Sequence, residues 1–563
     1  MKKKNIILGI LVAGTLAAMA QQTGKWGDQG DGTFRNPVIA ADYCDPDPLR
    51  VGDDYYMVSS TFEGFPGIAV LHSKDLVNWE TISTAFNHLD KVSEDYTWRR
   101  MNRYNGGVYA PTISHHNGRF YIYANLYTDG FYMATAERAE GPWKEQMLTD
   151  KYGRQLKVTR WSDPCPFWDD DGKAYLVASH PGREYWYSYM FQMSPDGTQL
   201  LDADSAVMAK LNTLYPWPDG GTVISPYFSS EGNRLFKRNG YYYFQHIEFT
   251  NKGQGEGTYV FRSRNIYGTH PDGKPGSPGN PGEYEKFCIE KVKDRQHLRV
   301  PGQGGYVTTP DGRWWWIGQF TREEANGRAP WLVPVTWIDN WPVIGCDISD
   351  MQGQTPMQMA KPVAGGKMML PQGSDDFSLA TLHPRWQWNH KPRGNEWSLT
   401  ERKGWLRLKA YKPQGKQEGF FGASGTLAQK YMRSDTVVVT IRMDLRGLTE
   451  GGRAGLAIFN GGKSYANIGV RDGRMTVEAD GNATVGDPLP RKKTKVYLRA
   501  SIGFDAIARF SYSLDNRRYS PLGDAYRLRP GNFRGAMIGM FCYNVMSDGV
   551  FVDIDWFDYY IKH

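Results

Sequence analysis

One pattern of polar and apolar positions returns five times in the first part of the chain: a two-residue polar turn, then a strand crowded with aromatic residues. It reads Asp53-Asp54-Tyr55-Tyr56-Met57-Val58, Asn117-Gly118-Arg119-Phe120-Tyr121-Ile122 and Asp171-Gly172-Lys173-Ala174-Tyr175-Leu176. The last two copies are Asn239-Gly240-Tyr241-Tyr242-Tyr243-Phe244 and Asp311-Gly312-Arg313-Trp314-Trp315-Trp316. Asn-Gly and Asp-Gly suit tight hairpins whose two central residues take positive φ. The turns start 64, 54, 68 and 72 residues apart. Each interval holds a four-stranded antiparallel sheet and one long loop, and five such sheets set radially make a five-bladed β-propeller. A β-sandwich has no need of one hairpin recurring so regularly.

After Cys346 the pattern changes. Residues 352–373 are rich in Gln, Met, Pro and Gly, as in a linker packed over a surface. From Asp375-Asp376-Phe377 onward, alternating segments such as Thr436–Met443 and Val550–Tyr559 lie between Gly and Asp turns, with few helix signals. An antiparallel β-sandwich of jelly-roll or concanavalin-like type fits. The chain therefore reads as all-β, with a propeller over 21–351, a linker over 352–373 and an accessory sandwich over 374–563.

Composition agrees: 563 residues exceed one hydrophobic core, and Gly 63, Pro 32 and 14% aromatics suit short strands and tight turns. The formal charge of +7 is spread among interleaved acids and bases apart from Arg491-Lys492-Lys493 and the N-terminus. A nucleic-acid binder concentrates such charge in a stripe, so no nucleic-acid partner is expected. Lys2, Lys3 and Lys4 precede an apolar run from Ile6 to Ala17 and an Ala18-Met19-Ala20 cleavage pattern. The run is shorter than the roughly 20 residues of a membrane span. A signal peptide over 1–20 is expected, with export to the periplasm or beyond and no membrane association after cleavage. The five cysteines, an odd number at irregular spacing, form no disulfide framework and no metal motif. Buried free thiols are expected; a Cys44–Cys165 bridge is the alternative, since both flank acids.

Eight residues before the five turns stand Asp45, Tyr109, Asp163, Glu231 and Gln303. Equal offsets put them at one point of each blade, near the start of the strand that surrounds the propeller axis. Three of the five are carboxylates, a roughly one-in-a-hundred event if acids fill about a tenth of positions. Singly, an Asp before Pro, as in Asp45-Pro46 or Asp163-Pro164, is an ordinary turn residue. Together, three converging acids supply what glycoside hydrolysis requires: an acid for the leaving oxygen, a carboxylate for water or the sugar, and a like charge that keeps the acid protonated. Three carboxylates also begin a calcium site, although calcium takes six to eight oxygens.

The stretch from Tyr43-Cys44-Asp45-Pro46-Asp47-Pro48 to Asp54-Tyr55-Tyr56 resembles the opening signature of glycoside hydrolase family 43. Phe65-Pro66-Gly67, His72-Ser73-Lys74-Asp75, Tyr109-Ala110-Pro111, Asp163-Pro164, Glu231-Gly232, Gly304-Gly305-Tyr306-Val307 and Pro334-Val335-Thr336-Trp337 continue the likeness in order. The resemblance implies a five-bladed inverting enzyme in which Asp45 is the general base, Glu231 the general acid and Asp163 the residue that tunes and orients that acid. Inverting action implies carboxyls of Asp45 and Glu231 about 6.5–9.5 Å apart. No cofactor is implied. Many members carry an axial histidine associated with a cation, but Gly302-Gln303-Gly304 has none, which speaks against an axial calcium. Tyr109 replaces a frequent Trp and keeps a stacking face. Phe62 and Tyr109 are candidate sugar platforms, Gln303 a candidate polar ligand, and Arg322 and Arg328 candidate partners of sugar hydroxyls. Trp386–His390, Trp397-Ser398-Leu399 and Leu406-Arg407-Leu408 resemble the concanavalin-like domain of family 43 xylosidases, and Phe420-Phe421 is a candidate loop for reaching the pocket.

The resemblance points to an exo-acting pentosidase that releases α-L-arabinofuranose or β-D-xylose from plant glycans. Phe65-Pro66-Gly67 and the run Gly327-Arg328-x-Pro330 lean it towards arabinofuranose, with β-xylosidase proper the alternative. The rivals are a retaining fructan hydrolase, distinguished by the first-formed anomer, and a non-catalytic sugar-binding propeller, which would show no change in hydrolysis on Glu231→Gln.

Overall fold

A computed structural model describes residues 26–562, apart from 105, 127, 182–185, 210–219, 226–228, 250–256, 292–301, 320–324, 415–418 and 532–533. The leader expected over 1–20 and Arg322 lie outside the described residues.

Five four-stranded antiparallel sheets follow one another along the chain. Their first strands are Asp47–Val51, Tyr109–His116, Ser162–Trp168, Ser229–Arg238 and Gly304–Thr308. Strand order follows sequence order in every sheet, so each is a meander. The chain is a five-bladed β-propeller joined to a C-terminal sandwich.

The turns between the first two strands differ in a way that the residues explain. Both positions take positive φ only in the two Asn-Gly turns, Asn117-Gly118 and Asn239-Gly240. In the Asp-Gly turns only Gly172 and Gly312 do so; Asp171 and Asp311 instead accept the backbone N–H two residues on, at 3.0 and 3.3 Å. Asn tolerates the left-handed region more readily, whereas the Asp carboxylate closes an Asx-turn. The first hairpin turns at Gly52-Asp53, because Val51 pairs with Asp54.

Apolar side chains fill the seams between blades. Phe131, Trp161, Leu176 and Phe191 pack between the second and third blades, and Tyr243, Trp316, Trp331 and Val333 between the fourth and fifth. Trp316 is fully buried, edge-on to Tyr306 with ring centres 4.7 Å apart. Gly318 lies against it, because a Cβ there would overlap the Trp316 ring nitrogen. Trp316→Ala empties this seam and lowers stability by about 3–5 kcal/mol, read as an earlier denaturant midpoint for the propeller transition.

The sandwich has two large sheets. In one, Val550–Lys562 pairs with Thr436–Asp444, both longer than the alternation predicted. The other includes Thr426–Lys430, Gly452–Asn460 and Met537–Asn544, and its edge is Gly64–Phe65 of the propeller, paired to Gln387–Asn389. A propeller strand thus completes a sandwich sheet. The intervening Gln358–Ala360 returns to pair with Thr33–Arg35, and Lys361 binds Asp28 and Asp75 at 2.7 Å each.

Candidate active site

The backbone aims the acids inward. Asp45 and Asp163 share a positive φ of 52°, and Ala110 in the second blade has 36°. The register slips between Tyr109 and Thr112, between Ser162 and Cys165, and between Glu231 and Arg234. Bulges of this kind re-aim side chains at the end of a strand. The left-handed region is unfavourable for a residue with a Cβ, and such strain persists where the surroundings impose it.

These residues line one cavity of about 350 Å³ to which every blade contributes. Asp45 comes from the first, Tyr109 and Asn125 from the second, and Trp161, Asp163 and Trp186 from the third. Glu231 comes from the fourth, and Gln303 and Arg328 from the fifth. The structure brings together all three predicted acids with Tyr109, Gln303 and Arg328.

Asp45 is buried and accepts hydrogen bonds from three side chains. Arg328 spans both oxygens at 2.8 and 3.2 Å, Gln319 Nε2 donates at 2.9 Å and Ser60 Oγ at 2.5 Å. Arg328 is therefore a clamp on Asp45, a role the sequence did not reveal. Burial works against its charge, but Asp45, Cys44, Asp42 and Glu231 outweigh that and raise its pKa.

Asp163 is also buried. Its Oδ2 accepts the Gly232 N–H and, at 3.1 Å, the Gln303 amide. Burial first, with the charge of Asp45 added, pushes its pKa up to about 7 against the donation from Gly232. Asn233 Nδ2 donates to the Asp163 carbonyl at 3.0 Å, which fastens the third blade to the turn beside Glu231. Glu231 is half-buried at the cavity wall.

Behind the acids, Asp47 and Arg234 form a buried ion pair at 2.9 Å. Asp47 also accepts from Ile113 N at 2.8 Å, and Arg234 donates to the Pro46 carbonyl at 3.2 Å. Three chain segments thus meet at the axis, and burial raises the Asp47 pKa despite Arg234.

Phe62 is 1% exposed and lies edge-on behind Tyr109, ring centres 5.4 Å apart. Phe421 meets the propeller at Tyr104, whose hydroxyl donates to its carbonyl at 2.6 Å. Among the described residues no group of three or more His, Cys, Asp or Glu is placed to hold a metal ion. Cys44 and Cys165 form no disulfide, and Cys288 and Cys346 are partly exposed rather than buried. Burial pushes the Cys165 thiol up to about 12.

Sequence reasoning missed Asn125, which is 1% exposed with neither side-chain amide atom partnered. It faces Tyr109 directly across the hairpin, and that pairing was the available signal. A buried amide without a partner is unfavourable unless a ligand or water completes it.

Residues 34–342 match the family model described as glycosyl hydrolases family 43, and 374–560 match that of the beta xylosidase C-terminal concanavalin A-like domain. A beta-xylosidase of Formosa agariphila is 31% identical over 96% of this chain and 92% of its own length. A putative beta-xylosidase of Xylanibacter ruminicola is 34% identical over 92% and 88%. The solved structure of a bifunctional GH43-CE protein of Bacteroides eggerthii superposes with a TM-score of 0.75 at 27% identity, covering 94% of this chain and 64% of that one. With the family model spanning the propeller and relatives aligned along nearly the whole chain, this protein belongs to glycosyl hydrolase family 43 and is a glycoside hydrolase.

Proposed function

We propose that the enzyme removes single terminal pentoses from plant cell-wall glycans with inversion at the anomeric carbon. Asp45 activates the attacking water, Glu231 protonates the leaving oxygen, and Asp163 orients that acid and supplies the like charge beside it. The observation that carries this reading is the meeting of the three acids in one small, aromatic-walled cavity. Its volume of about 350 Å³ lies at the small end of ligand sites, about 300–1,000 Å³. That size supports exo action on one sugar. Trp186 and Tyr109 offer ring faces, and Asn125 offers a donor and an acceptor to sugar hydroxyls. The leader pattern over 1–20 supports export to where polymeric glycans are met.

The β-xylosidase names of the two relatives support β-D-xylose as the terminal sugar. The second reading is α-L-arabinofuranose, carried by Phe65-Pro66-Gly67 and Gly327-Arg328-x-Pro330. Nitrophenyl β-xyloside, nitrophenyl α-arabinofuranoside and arabinan assayed side by side separate the two by kcat/KM. Asp45→Ala lowers turnover of the preferred substrate by about 10³-fold or more. NMR of the first-formed sugar shows the inverted anomer. Activity persisting in Asp45→Ala sinks the base assignment, and a retained anomer sinks inversion.

A further inference from the structure

We propose that the sandwich domain supplies a positioning residue for the catalytic centre, Lys430, which holds the Asp45–Arg328 clamp in place through Asp42. The proposal rests on the reading of Asp45 as the base.

Lys430 ends the strand Thr426–Lys430 and is 6% exposed, rare for a lysine. Its ammonium crosses the domain boundary to the Asp42 carbonyl and lies over the Tyr43 ring, 4.8 Å from the centre. Tyr43, Cys44 and Asp45 follow Asp42 directly, so this carbonyl anchors the segment that carries the base. The Asp42 carboxylate accepts the backbone N–H of Arg328 at 3.0 Å, and the Arg328 guanidinium grips Asp45. One cation from the second domain is thus joined to both halves of the clamp.

The surrounding contacts leave little room to shift. A Cβ on Gly327, where φ is +67°, would overlap both Asp42 Oδ1 and Gly535 N of the sandwich. Ala536 N donates to the Ala325 carbonyl at 2.7 Å, Tyr431 N to the Ala536 carbonyl at 2.9 Å and Arg433 N to the Ala40 carbonyl at 2.9 Å. Nearby, Arg534 pairs with buried Glu63 and lies 5.5 Å from the Phe62 ring centre.

The charged and titratable groups facing Lys430 are Asp42, Tyr43, Cys44 and Asp45 of the propeller and Arg534 of its own domain. Burial draws the lysine pKa below its ordinary value; the two aspartates and Cys44 oppose that, and Arg534 adds to it. Asp45 itself faces Arg328 and is near enough to Asp163 for their charges to interact. Removing Lys430 therefore takes away a positive charge on the base side and loosens the segment bearing Asp45.

The test is Lys430→Met in the full-length enzyme, which keeps the stem and removes the charge. We expect kcat to fall by about 10- to 100-fold, KM to change much less, and the acid limb of the pH–rate profile to move to higher pH. Asp42→Ala, which removes the acceptor for Arg328 N and keeps the Asp42 carbonyl that Lys430 binds, lowers kcat in the same way. A folded Lys430→Met enzyme with the wild-type kcat and pH profile overturns the proposal, as does a loss confined to melting temperature. Should Lys430→Met not fold, wild-type kcat in Asp42→Ala overturns it alone. Asp45→Ala run in parallel separates the two claims: activity surviving there removes the base assignment, whatever Lys430→Met does.

Discussion

Glu231→Ala lowers kcat on a pentose-capped oligosaccharide by about 10³- to 10⁴-fold, and by far less on a nitrophenyl pentoside. The difference comes from the leaving group. A sugar alkoxide departs only with a proton delivered as the bond breaks, whereas a nitrophenolate leaves without one. Glu231 has the environment for that delivery: it lines the cavity and stays half-buried, open to the departing sugar. The next residue, Gly232, takes φ +72° and donates its N–H to Asp163, which fixes the turn that carries the acid. A side chain at 232 would press on Gln303 Cγ at 3.2 Å and Ile247 Cδ1 at 3.3 Å. The measurement is kcat for both substrates in wild type and variant. Equal losses on the two leaving groups remove Glu231 from the role of acid.

Much of this was legible in the chain, for reasons that particular residues make plain. Aromatic hairpin strands are local and repeat, so the five blades were countable. Asp45, Asp163 and Glu231 carried a shared offset, though a looser one than an ideal register. The first turn sits one residue early, and bulges at Tyr109–Thr112, Ser162–Cys165 and Glu231–Arg234 absorb differences between blades. The partners of the acids were not legible. Arg328 reaches Asp45 across 283 positions and Gln319 across 274, because closing the ring brings the fifth blade onto the first. Nothing in the local text around Arg328 distinguishes a clamp from a sugar ligand. Lys430 is harder still, because its site exists only once the second domain has docked. Phe62 stood between a sugar platform and core packing in the sequence, and its ring is packed behind Tyr109.

Asp163→Asn makes the protein more stable at pH 8 while making the enzyme slower. Asp163 titrates near 7 in the folded protein, against an ordinary value of 3.8, because burial and then the charge of Asp45 disfavour its ionised form. Between these values the folded state holds a proton that the unfolded chain has released. Folding stability therefore falls as pH rises from about 4 to about 7, and above 7 the whole penalty is present. Asparagine never ionises, so the variant escapes that penalty, which is at most a few kcal/mol. Its amide oxygen replaces Oδ2, the atom that accepts from both Gly232 and Gln303, so neither donor is stranded. The expected result is a melting temperature higher by several degrees at pH 8 and little changed at pH 4. Turnover falls by about 100-fold. Equal melting temperatures at pH 8 would show that the native site accommodates an ionised Asp163 without strain. A stabilised variant with full activity would remove Asp163 from the catalytic group and leave it a structural acid.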